Sequence, residues 1–195
     1  MNGIVHDFRE RLEWSQSMSD EPSWMAFYRR VWPGMVVAVR VDEGQWQRWG
    51  VDRLVLLRDG REISVDEKKR PKDYGDILLE THSVWHGPND ARNKLGWALD
   101  PTKLCDYVAY AVIPIAKCYL LPLDLLQRTF RVHGKAWRDR YHERFALNKG
   151  YKTRNIPVPW PTLAEALTAE MLAKWDEPLT LPIPVMNGAQ LEFNW

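Results

Sequence analysis

Cysteine is nearly absent from this 195-residue chain: Cys105 and Cys118 are the whole supply, and they form no CxxC pair. That excludes a disulfide framework, and free thiols in a reducing cytoplasm are the expected state. Long apolar runs are missing too. No stretch of about eighteen apolar residues occurs, so no membrane-spanning helix is expected, and the opening MNGIVHDFRERLEW lacks the apolar core of a secretory signal. Neither charge sign is in excess, with 27 Lys and Arg against 26 Asp and Glu. Histidine is sparse at five. The nearest pair, His82 and His86, needs a helix to share a metal, and His82 falls in a strand pattern, which argues against a histidine-bound zinc site. There is no Walker loop, glycine-rich nucleotide loop, GxSxG elbow, internal repeat or low-complexity tract.

What is present is unevenly placed. Residues 47–72 hold 8 basic and 5 acidic side chains, and residues 125–154 hold 9 and 2. Residues 1–46 and 155–195 are acidic in balance. Two basic segments in a near-neutral chain fit a local face for a polyanion; a solvated helix face is the competing use. The 11 tryptophans are expected mostly as core or interface filler, with stacking on bases as the rarer use.

Along the chain, Val5, Phe8 and Leu12 put a helix over 5–16. A second helix follows Glu21-Pro22 and ends before Pro33-Gly34. Strands are expected at 35–41, 50–57, 62–69, 77–85, 106–112 and 117–122, with a strand or extended arm at 152–159 and a long loop over 86–104. Helices are expected at 123–132, at 135–147 after Gly134, and at 161–175, where a proline stands at the start. This is a single α/β domain over 1–175, a central mixed sheet flanked by helices, followed by an extended Pro-rich tail over 176–195.

The stretch VDRLVLLRDGREISVDEKK (51–69) carries the chemistry. If Asp59-Gly60 is a two-residue hairpin loop, Leu56 faces Ile63, Leu54 faces Val65, and Asp52 faces Glu67. Directly opposed like charges, with Cβ atoms roughly 5 Å apart, are destabilising. Such a pair shares a proton, is bridged by a third residue such as Lys69, or holds a divalent cation. In this register Asp66 already has a partner in Arg53. Asp66-x-Lys68 fits the same bare pattern, but that register is rejected because its face parity leads away from Asp52; a bulge in the turn would reverse the argument. A carboxylate pair with a strand-borne lysine suits metal-assisted phosphodiester hydrolysis.

Gly50-Val51-Asp52, a hairpin, then Glu67-Lys68-Lys69 resembles the signature of the PD-(D/E)xK nuclease superfamily, the restriction-endonuclease-like fold. The resemblance covers roughly residues 35–85, and QRWGVDR and DEKKRPKDYGDILLE are similar to small phage or prophage proteins of this kind. Gly-Val precedes the aspartate where the signature has proline. The resemblance implies Asp52 and Glu67 as ligands of Mg²⁺ (or Mn²⁺), Lys69 as the residue acting on the attacking water, and DNA as substrate, cut by an endonuclease rather than an exonuclease. Glu80, mid-strand nearby, is a further catalytic candidate. Glu10 or Glu13 of the first helix and Gln47 flank the expected site. Arg128, Arg131, Lys135, Arg138 and Arg140 are the candidates for contact with the nucleic-acid backbone, and a homodimer is compatible with cutting both strands. The competing readings are a non-catalytic nucleic-acid-binding module with the same fold, a phage interaction protein using its Trp-rich surface and tail, and a Lys69 that only neutralises two acids at a sheet end. Asp52 and Glu67 carboxyls on opposite sides of the sheet, or beyond joint reach of one ion, would end the nuclease proposal.

Overall fold

A computed structural model describes residues 22–41 and 44–176. The helix expected over 5–16, with Glu10 and Glu13, and the tail beyond Asp176 lie outside the described residues. Helix α1 (Pro22–Val31) begins at a proline and stops before Pro33, as fixed φ and the missing N–H dictate. Strand β1 (Met35–Arg40) and a single helical turn, α2 (Gln45–Arg48), lead into the hairpin β2 (Arg53–Leu57) and β3 (Glu62–Arg70). Then come β4 (Asp76–Trp85), the two-residue β5 (Lys94–Leu95), β6 (Tyr107–Val112), β7 (Lys117–Pro122), α3 (Leu123–Tyr141), β8 (Arg144–Asn148), β9 (Tyr151–Pro159) and α4 (Trp160–Asp176).

The strands form two sheets where one was expected. The first is mixed, in the order β1-β2-β3-β6-β7, with β3 and β6 parallel and the other pairs antiparallel. The second is antiparallel, in the order β5-β4-β9-β8. The chain leaves the first sheet after β3, builds β4 and β5 of the second, and returns as β6. Arg70 ties the two together: its guanidinium donates to the Asp76 carboxylate at 2.5 Å and to the Tyr110 hydroxyl at 2.9 Å, and that hydroxyl accepts the Leu78 N–H at 3.1 Å.

One core lies between the two sheets and helices α3 and α4, with Ile77, Leu79, Val108, Leu126, Ile156, Val158 and Leu163 fully enclosed. Each such side chain contributes about 1.5–3 kcal/mol by leaving water. A second core fills the far face of the mixed sheet, where Trp24 and Tyr28 of α1 cover Val55, Val65, Ala109 and Ala111. Along α1, Tyr28 stacks on Trp24 and on Trp32, one helical turn away on either side.

The segment 123–147 differs from expectation. It forms one continuous 19-residue helix to Tyr141 followed by strand β8, not two helices. Gly134 is not a breaker. It sits on the buried face, where a Cβ would come within 2.8 Å of the Phe130 ring, so its missing side chain is a packing requirement. The helix stops at His142, whose φ of 53° leaves the helical region. Among the described residues no helix is long and apolar enough to cross a membrane.

Candidate active site

The hairpin that positions the acids turns through three residues, not two. Leu57 N–H donates to Arg61 carbonyl at 2.9 Å, Gly60 N–H donates back to Leu57 carbonyl at 3.0 Å, and Gly60 has φ 85°. This is the three-residue loop closed by a glycine in the left-handed region. Asp59 supports it by accepting the Arg61 N–H at 3.1 Å and the Arg61 guanidinium at 2.8 Å. The extra residue shifts the register by one: Leu56 faces Glu62, Leu54 faces Ser64 and Arg53 faces Val65. A one-residue shift moves every side chain to the other face.

The expected pair of Asp52 and Glu67 is therefore separated by the sheet. Glu67 points to the α1 side with its side chain fully enclosed; it accepts the Tyr28 hydroxyl at 2.8 Å and Arg53 Nε at 2.5 Å, and Lys69 Nζ stands 3.5 Å away. Lys69 lies 5.6 Å from the centre of the Trp24 ring, and burial lowers its pKa, opposed by the nearby Glu67 and Asp52 charges. Arg53, expected opposite Asp66, belongs to this same buried group. Glu67 and Lys69 thus hold the helix to the back of the sheet, and the nuclease proposal made on Asp52, Glu67 and Lys69 falls with that register; the bulged register reverses the face parity of Asp66 and Lys68.

The front of the sheet carries the pattern that the two-residue turn had pointed away. Asp52 stands just before β2, and its N–H donates to the carbonyl of Val65, the residue that Arg53 already faces. Two residues against one is a bulge, which re-aims a side chain. Asp52 Oδ2 accepts the Glu67 N–H at 2.8 Å, filling the ladder position that β2 vacates. Asp66 and Lys68, on the same side as Asp52, meet at 2.5 Å between Oδ1 and Nζ. These three and Glu80 of β4 line one cleft of about 500 Å³, completed by Gln47, Gly50, Ser83, Lys94, Leu95, Trp97, Asp100 and Lys103.

Electrostatics mark the same residues. Burial raises the Asp66 carboxyl; Lys68 opposes, the Asp52 charge adds, and the result is pushed up to about 7. Burial alone would lower Lys68, but the charges of Asp66, Asp52 and Glu80 outweigh it, so the ammonium is held above its ordinary value. Burial likewise raises Glu80, against the charges of Lys68 and Lys103 and a hydrogen bond from the Trp97 backbone. Among the described residues no three His, Cys, Asp or Glu side chains are grouped to hold an ion. Asp52 and Asp66 offer two hard oxygen donors, and Mg²⁺ is commonly held by one or two carboxylates with water and substrate phosphate completing its shell. The donor set fits such an ion.

The other sequence candidates divide. Gln47 lines the cleft, its amide donating to Val41 carbonyl at 3.1 Å. His82 packs edge-on to Trp85 at 4.7 Å, with burial and Arg154 lowering its pKa. Arg128, Arg131, Lys135 and Arg138 follow one another at three- and four-residue steps along α3 and share a flank, whereas Arg140 falls on the other. Arg128 is paired with Asp124 at 3.5 Å and Arg138 with Glu143 at 2.8 Å, while Arg131 and Lys135 are exposed. Lys94, Lys103, Trp97 and Asp100 were not foreseen, because they come from the expected long loop, where no periodic signal exists; Ser83 was not singled out although it lies in the expected strand 77–85. Compared with protein-family models, with curated proteins and with solved structures, the chain matches none.

Proposed function

We propose that this chain is a divalent-cation-dependent nuclease of the restriction-endonuclease-like type, hydrolysing phosphodiester bonds of DNA, with its site formed by Asp52, Asp66, Lys68 and Glu80. The observation that carries the reading is the convergence of an aspartate before one strand with an acid-x-lysine pair on the next, in a cleft that a third carboxylate also lines.

Asp52 and Asp66 would hold Mg²⁺ or Mn²⁺, which supplies polarisation of the phosphate and a more acidic bound water. Asp52 is fixed for this by the Glu67 backbone N–H, so its carboxylate need not be ordered on binding. Lys68 stays protonated and serves as a donor that orients the attacking water and stabilises charge growing on the phosphate oxygens. Glu80, its pKa raised by burial, is suited to accept the proton that the attacking water loses. Water oxygen bonds to phosphorus, the bond to the leaving oxygen breaks, and solvent protonates that oxygen.

Titration of Mg²⁺ or Mn²⁺ against cleavage of plasmid and single-stranded DNA tests this. Cleavage that needs the cation and is lost in Asp52→Asn, Asp66→Asn and Lys68→Ala, but kept in Lys69→Ala, is the expected result. Binding without cleavage under every cation would favour the non-catalytic module.

A further inference from the structure

Besides Lys68, the cleft is lined by two further lysines, Lys94 and Lys103, together with the acids Asp52, Asp66, Glu80 and Asp100. Lys103 lies across Gly50: a Cβ on that glycine would stand 2.8 Å from Lys103 Cδ, and the glycine's φ of 78° makes the turn into Asp52. One residue without a side chain therefore serves both the turn and the lysine. Lys103 Nζ donates to Arg48 carbonyl at 3.1 Å, which uses one of its three protons and fixes the ammonium at the lip. The loop that carries it is anchored at both ends, with Gly96 N–H on Thr81 carbonyl and Leu104 N–H on Trp49 carbonyl, each at 2.9 Å. Lys94, on β5, lines the same cleft and is exposed.

Cations continue outside the cleft. Gln127 of α3 donates to the carbonyls of Trp97 and Asp100, both at 3.0 Å, so this flank of the helix abuts the loop just before Lys103. Arg128 and Arg131 are the next cations on that flank, followed by Lys135 and Arg138. From Arg128 to Arg138 the helix axis advances about 15 Å, roughly four base-pair steps of a strand. A cleft lined by carboxylates alone repels a polyanion; here Lys68, Lys94 and Lys103 offset three of the four lining carboxylates, and the cations of α3 add to them outside the cleft.

We propose that Lys94 and Lys103 form a phosphate subsite that holds the nucleic-acid backbone beside the acidic centre, gripping the phosphate next to the one that is cut, with the α3 flank guiding the strand beyond. The identity of the polymer rests on the nuclease reading; the subsite itself is a matter of binding. The test is fluorescence anisotropy of a labelled DNA duplex with the full chain in EDTA, over about 50–200 mM salt. In Lys94→Gln/Lys103→Met, the methionine keeps the apolar stem over Gly50 and removes only the charge. Affinity should fall roughly 10- to 60-fold and the salt slope should shrink by about two, near one per lost phosphate contact. The paired arginine variant, Lys94→Arg/Lys103→Arg, should restore both, which loss of a merely structural contact would not predict. An unchanged affinity and slope in the neutral variant, or no measurable binding by the wild type at low salt, overturns the subsite. If the wild type binds in this lysine-dependent way but never cleaves, the subsite stands and the catalytic reading falls. If it cleaves and the neutral variant binds as tightly, the reverse holds.

Discussion

Removing the Glu67 carboxylate separates the two faces of the sheet by experiment. Glu67 is enclosed on the α1 side, where the Tyr28 hydroxyl, Arg53 Nε and Lys69 Nζ approach it at 2.8, 2.5 and 3.5 Å. Glu67→Ala deletes the negative member of a buried charge group, and breaking such a group costs about 3–5 kcal/mol. At about 2–4 °C per kcal/mol for a chain of this size, Tm should fall by roughly 6–20 °C. Per folded molecule, cleavage of plasmid in Mg²⁺ should stay within about threefold of wild type, because nothing that touches the substrate has changed. Asp66→Asn should do the reverse: a rate loss of at least about 100-fold with a much smaller change in Tm. Differential scanning calorimetry read beside initial rates at a temperature where both variants are folded gives the answer. A Glu67→Ala protein with wild-type Tm and no cleavage would refute the assignment of faces.

Three further outcomes follow from the same geometry. Asp66 has a folded-state value of about 7, above the roughly 3.9 of an unfolded aspartate, so its contribution to stability is complete below about pH 4 and is lost as pH rises through 7; urea unfolding in EDTA should show that loss in wild type and not in Asp66→Asn. On the proposed reading a cation would need Asp66 ionised, so added Mg²⁺ should raise stability at about pH 8 and do little at about pH 5. At Gly96 a Cβ would stand 2.4 Å from the Glu80 carbonyl oxygen and 2.6 Å from Glu80 Cγ, so Gly96→Ala should destabilise by about 1–3 kcal/mol or more by urea unfolding and should weaken activity through Glu80.

Where the sequence is periodic or punctuated, its reading matches the structure. The valine-rich run 35–41 and the apolar run 77–85 are strands because β-branched and alternating residues pack on a pleated surface between turn signals. Pro22 and Pro33 bracket α1 for reasons visible in the residues themselves. The basic flank of α3 follows from helical spacing, apart from Arg140. The break expected at Gly134 fails because a glycine is also what close contact with an aromatic ring demands, and only the neighbour in space tells the two uses apart. The hairpin register fails for a related reason. Asp-Gly satisfies a two-residue loop and a three-residue loop equally well, and the two differ by one position in everything that follows. Lys94 and Lys103 were illegible because β5 is only two residues long, pairing Lys94 with Val84, and because the loop end beside Lys103 is held by the Leu104 N–H on the carbonyl of Trp49, far away in sequence.

The doubled run Asp66-Glu67-Lys68-Lys69 has a consequence for how this hairpin tolerates change. An acid-x-lysine pattern exists in both frames of the strand, so deleting one turn residue would slide Glu67 and Lys69 out to the solvent-facing cleft and turn Asp66 and Lys68 inward. The two faces would trade roles without a single substitution in the strand. The number of residues in the turn, three from Arg58 to Gly60, is what selects between the two frames.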